Sequence, residues 1–241
     1  MKLEEFDLDL PYVVDLVKVE TIMKENNCSL IEAKKNDYEQ NWKEKRRFFR
    51  LQTRCVSSML ERIFCELETV DCWKILVECV DEIKEERILN LSGVHTVQVI
   101  LDYSKFMEAS DYIKKYMACE LLEKGIKRIV EEKGWEFEPF QKAILKVKEL
   151  DFRNEWVWKK PVKSPDKKYS AEIFCNHEVN NIHIYIIIKD KKGNEVARKK
   201  LITELPDEFA YSKHLGQVKW LSNTKAVLLN KKGDCSWAID I

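Results

Sequence analysis

Glu155-Trp-Val-Trp-Lys-Lys-Pro-Val-Lys-Ser-Pro-Asp-Lys-Lys-Tyr169 divides this sequence. Before it, apolar residues recur mostly at helical spacing; after it, the period drops to two, the signature of half-buried strands. The stretch therefore predicts an α+β chain of two modules. Residues 1–151 form a helical module with a small antiparallel β-hairpin, and residues 152–241 form an antiparallel β-sheet or small sandwich. Charge follows the same division. Residues 1–150 hold 25 Lys and Arg against 30 Asp and Glu, whereas residues 151–241 hold 17 against 12.

Downstream of the stretch, Tyr169, Ala171, Ile173 and Cys175 alternate with polar neighbours, and Ile182, Ile184, Ile186 and Ile188 do the same in a run apolar enough to be central. Asp190-Lys-Lys-Gly-Asn194 reads as a hairpin turn in which glycine takes positive φ, and Lys231-Lys-Gly-Asp234 as the last turn. Val196–Thr203, Gln217–Leu221, Lys225–Asn230 and Cys235–Ile239 supply the remaining predicted strands.

Upstream, residues 1–27 show no clean period. Ser29-Leu-Ile-Glu32 is a capping box, and Tyr38, Trp42, Phe49, Val56, Leu60, Ile63 and Leu67 then mark one face of a long helix, broken at most once. Residues 73–80 fit a helix or a strand by spacing. The β-branched run Val94–Tyr103 after Ser92-Gly93 reads as a strand and needs a neighbour, which predicts 73–80 as its antiparallel partner. Ser110 caps a helix whose stripe is Ile113, Met117, Leu121, Ile126 and Ile129 and which stops at Gly134. Pro139 starts another, with Phe140, Ile144, Val147 and Leu150 on its apolar side.

Zero formal net charge argues against a polyanion binder that uses its whole surface. Eight cysteines without a Cys-x-x-Cys pair, and no apolar run long enough for a leader or membrane span, predict a cytoplasmic chain whose thiols are reduced core fillers. No Walker, Gly-x-Ser-x-Gly, Gly-x-Gly-x-x-Gly or His-Glu-x-x-His sequence occurs, so no cofactor, metal or catalytic residue is expected from a motif. Cys175, His177 and His183 could meet across a hairpin as a metal site, but satisfied or surface histidines are the favoured account.

Two binding surfaces stand out. Trp156 and Trp158, two apart on a strand, share one face beside Lys159, Lys160, Lys163, Lys167 and Lys168. They are either core or an aromatic platform for an acidic protein or single-stranded nucleic acid. Arg46, Arg50 and Arg54 form a row at helical spacing, suited to phosphate or carboxylate, or else to pairing with glutamates such as Glu39 and Glu61. Asp102, Glu108 and Asp111, between a strand end and a helix start, are the place where a carboxylate enzyme site could sit, the weaker alternative to binding; helix N-termini attract the same residues.

The turn Ser164-Pro-Asp-Lys-Lys-Tyr169, with Val218-Lys-Trp-Leu-Ser-Asn223, resembles blade turns of bacterial β-propellers, which implies a blade-like sheet. The last ninety residues are too few for a closed propeller. Asp102-Tyr-Ser-Lys-Phe106 with Ser110-Asp-Tyr112, Glu131-Glu-Lys-Gly-Trp135 and Glu155-Trp-Val-Trp-Lys159 resemble uncharacterised bacterial proteins of the toxin-immunity kind. That resemblance implies an immunity-like protein. The absent catalytic motifs, the opposed module charges and the aromatic-basic junction lead to the same expectation, a non-enzymatic protein that occludes or docks a protein partner, acidic in the first instance, with no membrane involved; the alternative is nucleic-acid binding through the arginine row or the lysine-rich junction.

Overall fold

In the computed structural model, which describes residues 1–241, the chain opens with a two-residue ladder strand β1 (Lys2–Leu3) and then β2 (Glu5–Asp9). Helices α1 (Leu16–Asn26) and α2 (Leu30–Asp37) follow, the second started by the Ser29/Glu32 capping box that the sequence shows. One π-helical turn, Tyr38–Trp42, then leads into α3 (Lys43–Ile63). This turn is the single break in the long helix. Beyond Ile63 the helical stripe ends: Leu67 lies in β3 (Leu67–Glu68), which pairs with β1.

Strands β4 (Lys74–Val80), β5 (Leu89–Leu91) and β6 (Val94–Ile100) join β2 in a sheet of order β2-β4-β6-β5. The expected antiparallel pairing of 73–80 with 94–103 is corrected here. β4 and β6 are neighbours, but they run parallel, with Ile75 opposite His95 and Val77 opposite Val97. The antiparallel hairpin is formed by β5 and β6 instead, through Ser92 (φ 51°) and Gly93 (φ 83°). Positive φ at both central residues is the condition for the tight turn that suits strand twist. β5 has only three exposed residues, too few to show an alternation, which is why the sequence hides it. β2 adds to β4 in parallel, Phe6 opposite Ile75 and Leu8 opposite Val77.

Helices α4 (Tyr103–Glu108), α5 (Asp111–Lys133) and α6 (Glu138–Glu149) complete this unit, which closes at Phe152. Phe6, Leu8, Ile75, Val77, Cys79, Val97 and Val99 are buried and alternate with half-exposed residues such as Asp7, Leu76 and Thr96. The sheet is thus covered on one face, an α+β rather than doubly wound arrangement. Leu121, Ile126 and Ile129 of α5 are buried as expected; Ile113, one turn in, is exposed.

A file of stacked rings crosses this core. His95 lies parallel to Trp135 (6.0 Å between centroids, 12°), Trp135 to Phe140 (6.5 Å), and Phe140 to Phe64 (4.9 Å). His95 is fully buried, with Nε2 3.3 Å from Asp71 Oδ2. Burial first, and then the Lys133 ammonium, push its pKa below the usual histidine value, against the pull of Asp71. A base whose folded pKa is depressed is protonated more readily when unfolded, so the N-terminal unit loses stability as pH falls through about 6.5 and below. His95→Gln is expected to flatten the urea midpoint between pH 7 and pH 5; an unchanged slope would show that His95 does not titrate against folding.

The second unit, Arg153–Ile241, contains β7 (Asn154–Lys163), β8 (Tyr169–His177), β9 (Ile182–Asp190) and β10 (Glu195–Glu204) in an antiparallel meander. The short helix α7 (Glu208–Tyr211) leads to β11 (Gln217–Trp220), β12 (Lys225–Leu229) and β13 (Ser236–Asp240), a three-stranded antiparallel sheet. Ile173, Ile184 and Ile186 of the first sheet share one buried cluster with Ala226, Leu228 and Ile239 of the second. Of the expected sheet or sandwich, the unit forms two sheets over a common core.

The turns carry the local instructions. Ser164 Oγ donates to Asp166 Oδ1 (2.7 Å) and accepts from the Tyr169 N–H (3.0 Å); Ser222 Oγ accepts from Thr224 N–H (3.1 Å) in the echoing turn. The two turns touch, the Asp166 N–H donating to Asn223 Oδ1 at 3.2 Å.

Candidate functional site

In sheets with parallel strands, ligands gather beyond the carboxyl ends, where the connections diverge. β2, β4 and β6 end in this way at Asp9, Val80 and Ile100, and a cavity of about 450 Å³ opens there, within the size range of small-molecule sites. Leu10, Pro11, Val80 and Leu101 give it apolar walls; Lys45, Asp81, Asp102 and Ser104 supply its polar groups.

The π turn positions its aromatic side. Such turns insert a residue into a helix and often mark functional segments. Here the turn ends on Trp42, whose indole N–H donates to the Leu10 carbonyl (3.2 Å) and whose ring meets Tyr12 edge-on. Tyr12 in turn donates to Asp37 Oδ2 (2.6 Å), and burial beside that carboxylate pushes its phenol up to about 12. One residue past the turn's end the chain enters α3, and Lys45 projects its ammonium between two rings, 4.2 Å from the centroid of Trp42 and 4.1 Å from that of Tyr103.

Cation–π attraction of this kind is worth about 0.5–2 kcal/mol per pair and leaves the donors of the ammonium unused. Lys45 has its pKa lowered by burial, opposed by Asp81. Asp81 attracts it without closing an ion pair; its Oδ1 accepts the Glu82 N–H. Asp102 is occupied: Oδ1 accepts the Lys105 N–H (3.1 Å), Oδ2 faces the Lys105 ammonium (3.0 Å), and these hold its carboxyl below the usual range. The cleft therefore presents one partly desolvated cation with free donors and, in Asp81, a carboxylate that holds only the Glu82 N–H.

No protein-family profile matches the chain, and neither curated proteins nor solved structures give a match. The site must be read from its own chemistry.

The structure does not gather the sequence-derived candidates into one site. Arg46, Arg50 and Arg54 face acids of their own unit. Arg46 grips Asp9 through two nitrogens, Nε at 2.8 Å; Arg50 lies 3.9 Å from both Asp7 and Asp9; Arg54 holds Glu61 through two bonds of 2.7 and 3.0 Å. Arg54 also donates to the Phe6 carbonyl while Glu61 accepts the Phe6 N–H (3.0 Å). β2 is the edge of its sheet, so this row satisfies an edge that would otherwise offer itself to another chain. Of the two glutamates named beforehand, Glu61 pairs with Arg54, and Glu39 pairs with Lys43.

Trp156 and Trp158 are half-buried and pack on the hydrophobic cluster of their own β unit. Lys159, at φ 59° where the pairing slips, lays its ammonium 4.2 Å over the Trp158 ring. Lys159, Lys160 and Lys163 are exposed on β7, an edge strand interrupted by Pro161; lysine, proline and a bulge are the usual means of protecting such an edge.

Glu108 and Asp111 are exposed and do not line the cavity, whereas Asp102 does. His177 is buried facing the core side of β8, its Nε2 3.2 Å from the Pro206 carbonyl, while His183 bonds Thr203 on the opposite face. The suggested meeting of His183 with Cys175 and His177 is thereby overturned by strand alternation. No group of three or more His, Cys, Asp or Glu is placed to hold a metal ion. None of the eight cysteines forms a disulfide, and five are buried, but Cys65 and Cys235 are exposed and fill no core. No helix is long and apolar enough to cross a membrane.

Trp42 and Lys45 were within reach of the sequence, as a tryptophan and a lysine one turn apart after the capping box. What was missing is β2, whose five residues bring Leu10 and Pro11 to the same end.

Proposed function

We propose that this chain is a non-enzymatic binding protein that receives an anionic group of its partner in the cleft around Lys45. The observation that carries the reading is the Lys45 ammonium, seated between Trp42 and Tyr103 at the carboxyl end of parallel strands with its donors unspent. An acidic partner would be held there by charge-assisted hydrogen bonds, worth about 1.5–3 kcal/mol each, and occluded by the apolar walls. Eight cysteines without a disulfide are in keeping with a reducing, cytoplasmic setting.

Trp42 lies in the cleft, so its fluorescence can follow a titration. With 4-methylpentanoate as the probe, saturable binding is expected in the native chain, and Lys45→Met is expected to weaken it at least tenfold, which corresponds to about 1.4 kcal/mol. Equal affinity in both proteins would sink the reading. Saturation by inorganic phosphate but not by the carboxylate would move the partner towards nucleic acid.

A further inference from the structure

Resting on that reading, we infer that the cleft's ligand is a small zwitterion, an α-amino acid with an apolar side chain. The argument is one of charge matching. An anion alone would meet Lys45 but would also face Asp81, which lines the same cavity. Lys45 and Asp81 both line the cavity without forming an ion pair with each other, so the two opposite charges face the same space. A carboxylate and an ammonium on one carbon suit such a space, each against its opposite, and neither protein charge is left facing a like one. Asp102 does not compete, because Lys105 holds both of its oxygens. Apart from the Ser104 hydroxyl and the ring of Tyr103, the rest of the lining, Leu10, Val80 and Leu101 with Pro11, is apolar and suits an aliphatic side chain.

The deciding titration compares leucine with 4-methylpentanoate, which lacks the amino group, and with 3-methylbutylamine, which lacks the carboxyl. Leucine is expected to bind at least tenfold more tightly than either. Asp81→Asn is expected to abolish the advantage of leucine over 4-methylpentanoate. Asp81 is exposed on a connection after β4, so the variant does not disturb the core. Leucine no tighter than 4-methylpentanoate overturns the zwitterion and leaves the Lys45 reading standing; no saturation by any of the three overturns both.

Discussion

Arg46→Ala is expected to lower the stability of the N-terminal unit by about 3 kcal/mol, the low end of what breaking a buried pair costs. The reason lies with the partner. Asp9 is 4% exposed, and the guanidinium supplies its charge compensation through two hydrogen bonds; the Leu10 N–H gives a third at 2.9 Å. Removing Arg46 leaves the Asp9 carboxylate in the protein interior without its partner, beside the buried Cys79, whose thiol is pushed up first by burial and then by Asp9. Arg50, at 3.9 Å and half exposed, is too loosely placed to take over. In urea the midpoint should fall by roughly 1–2 M, since slopes for small domains are about 1–3 kcal/mol per molar. Asp9→Asn in the same background keeps an acceptor for Leu10 and removes the charge, and should recover more than 1 kcal/mol. If Arg46→Ala costs less than about 0.5 kcal/mol, the arginine row is solvated and its pairing with β2 is incidental.

Gly125→Ala should be nearly as damaging, at about 2 kcal/mol. In an exposed helix the change would stabilise by about 1 kcal/mol. Within α5, however, a Cβ at this position would stand 2.3 Å from Cγ2 and 2.9 Å from Cγ1 of Val77, in the middle of β4. Helix and strand approach here as closely as the missing side chain allows, and overpacking a filled core costs about 1–3 kcal/mol even after adjustment. Val77→Ala removes both methyls, so the double variant should be at least 1 kcal/mol more stable than the two single changes added together, by thermal unfolding. Additive losses would mean that the helix moves away instead.

These two positions also show how far the sequence could be read. The apolar alternation of Ile182 to Ile188, the capping box at Ser29 and the stop at Gly134 are local signals, and each element they mark is present. Period two is visible in β4 as well, since Ile75, Val77 and Cys79 are buried in turn. Strand direction is a different matter. Nothing in Lys74–Val80 states whether its neighbour runs with it or against it, because side-chain alternation is identical in both cases. β2 alternates too, but for five residues in a charged context, Glu-Phe-Asp-Leu-Asp. Missing it hid the parallel sheet, and with it the carboxyl-end cleft. The arginine row was legible as a row; its partners Asp7 and Asp9 were not, because they come from that same unread strand. The tryptophans of β7 were legible as sharing a face, and the structure turns that face to the hydrophobic cluster of the β unit.

The register of β2 bears on how the chain reaches this structure. Phe6 pairs with Ile75, some 69 residues away, whereas in the β unit Phe174 pairs with Tyr185 across a single hairpin. Closing a long loop costs entropy before any contact returns it, so folds built on distant pairings form slowly. The meander β7–β10 can zip from its turns. The N-terminal sheet must close the long loop between β2 and β4 before β2 can pair, so it is expected to form after the meander. The ion pairs that seal the edge are therefore expected among the last contacts to form, and the cleft that Leu10 and Pro11 help to wall is expected to be completed with them.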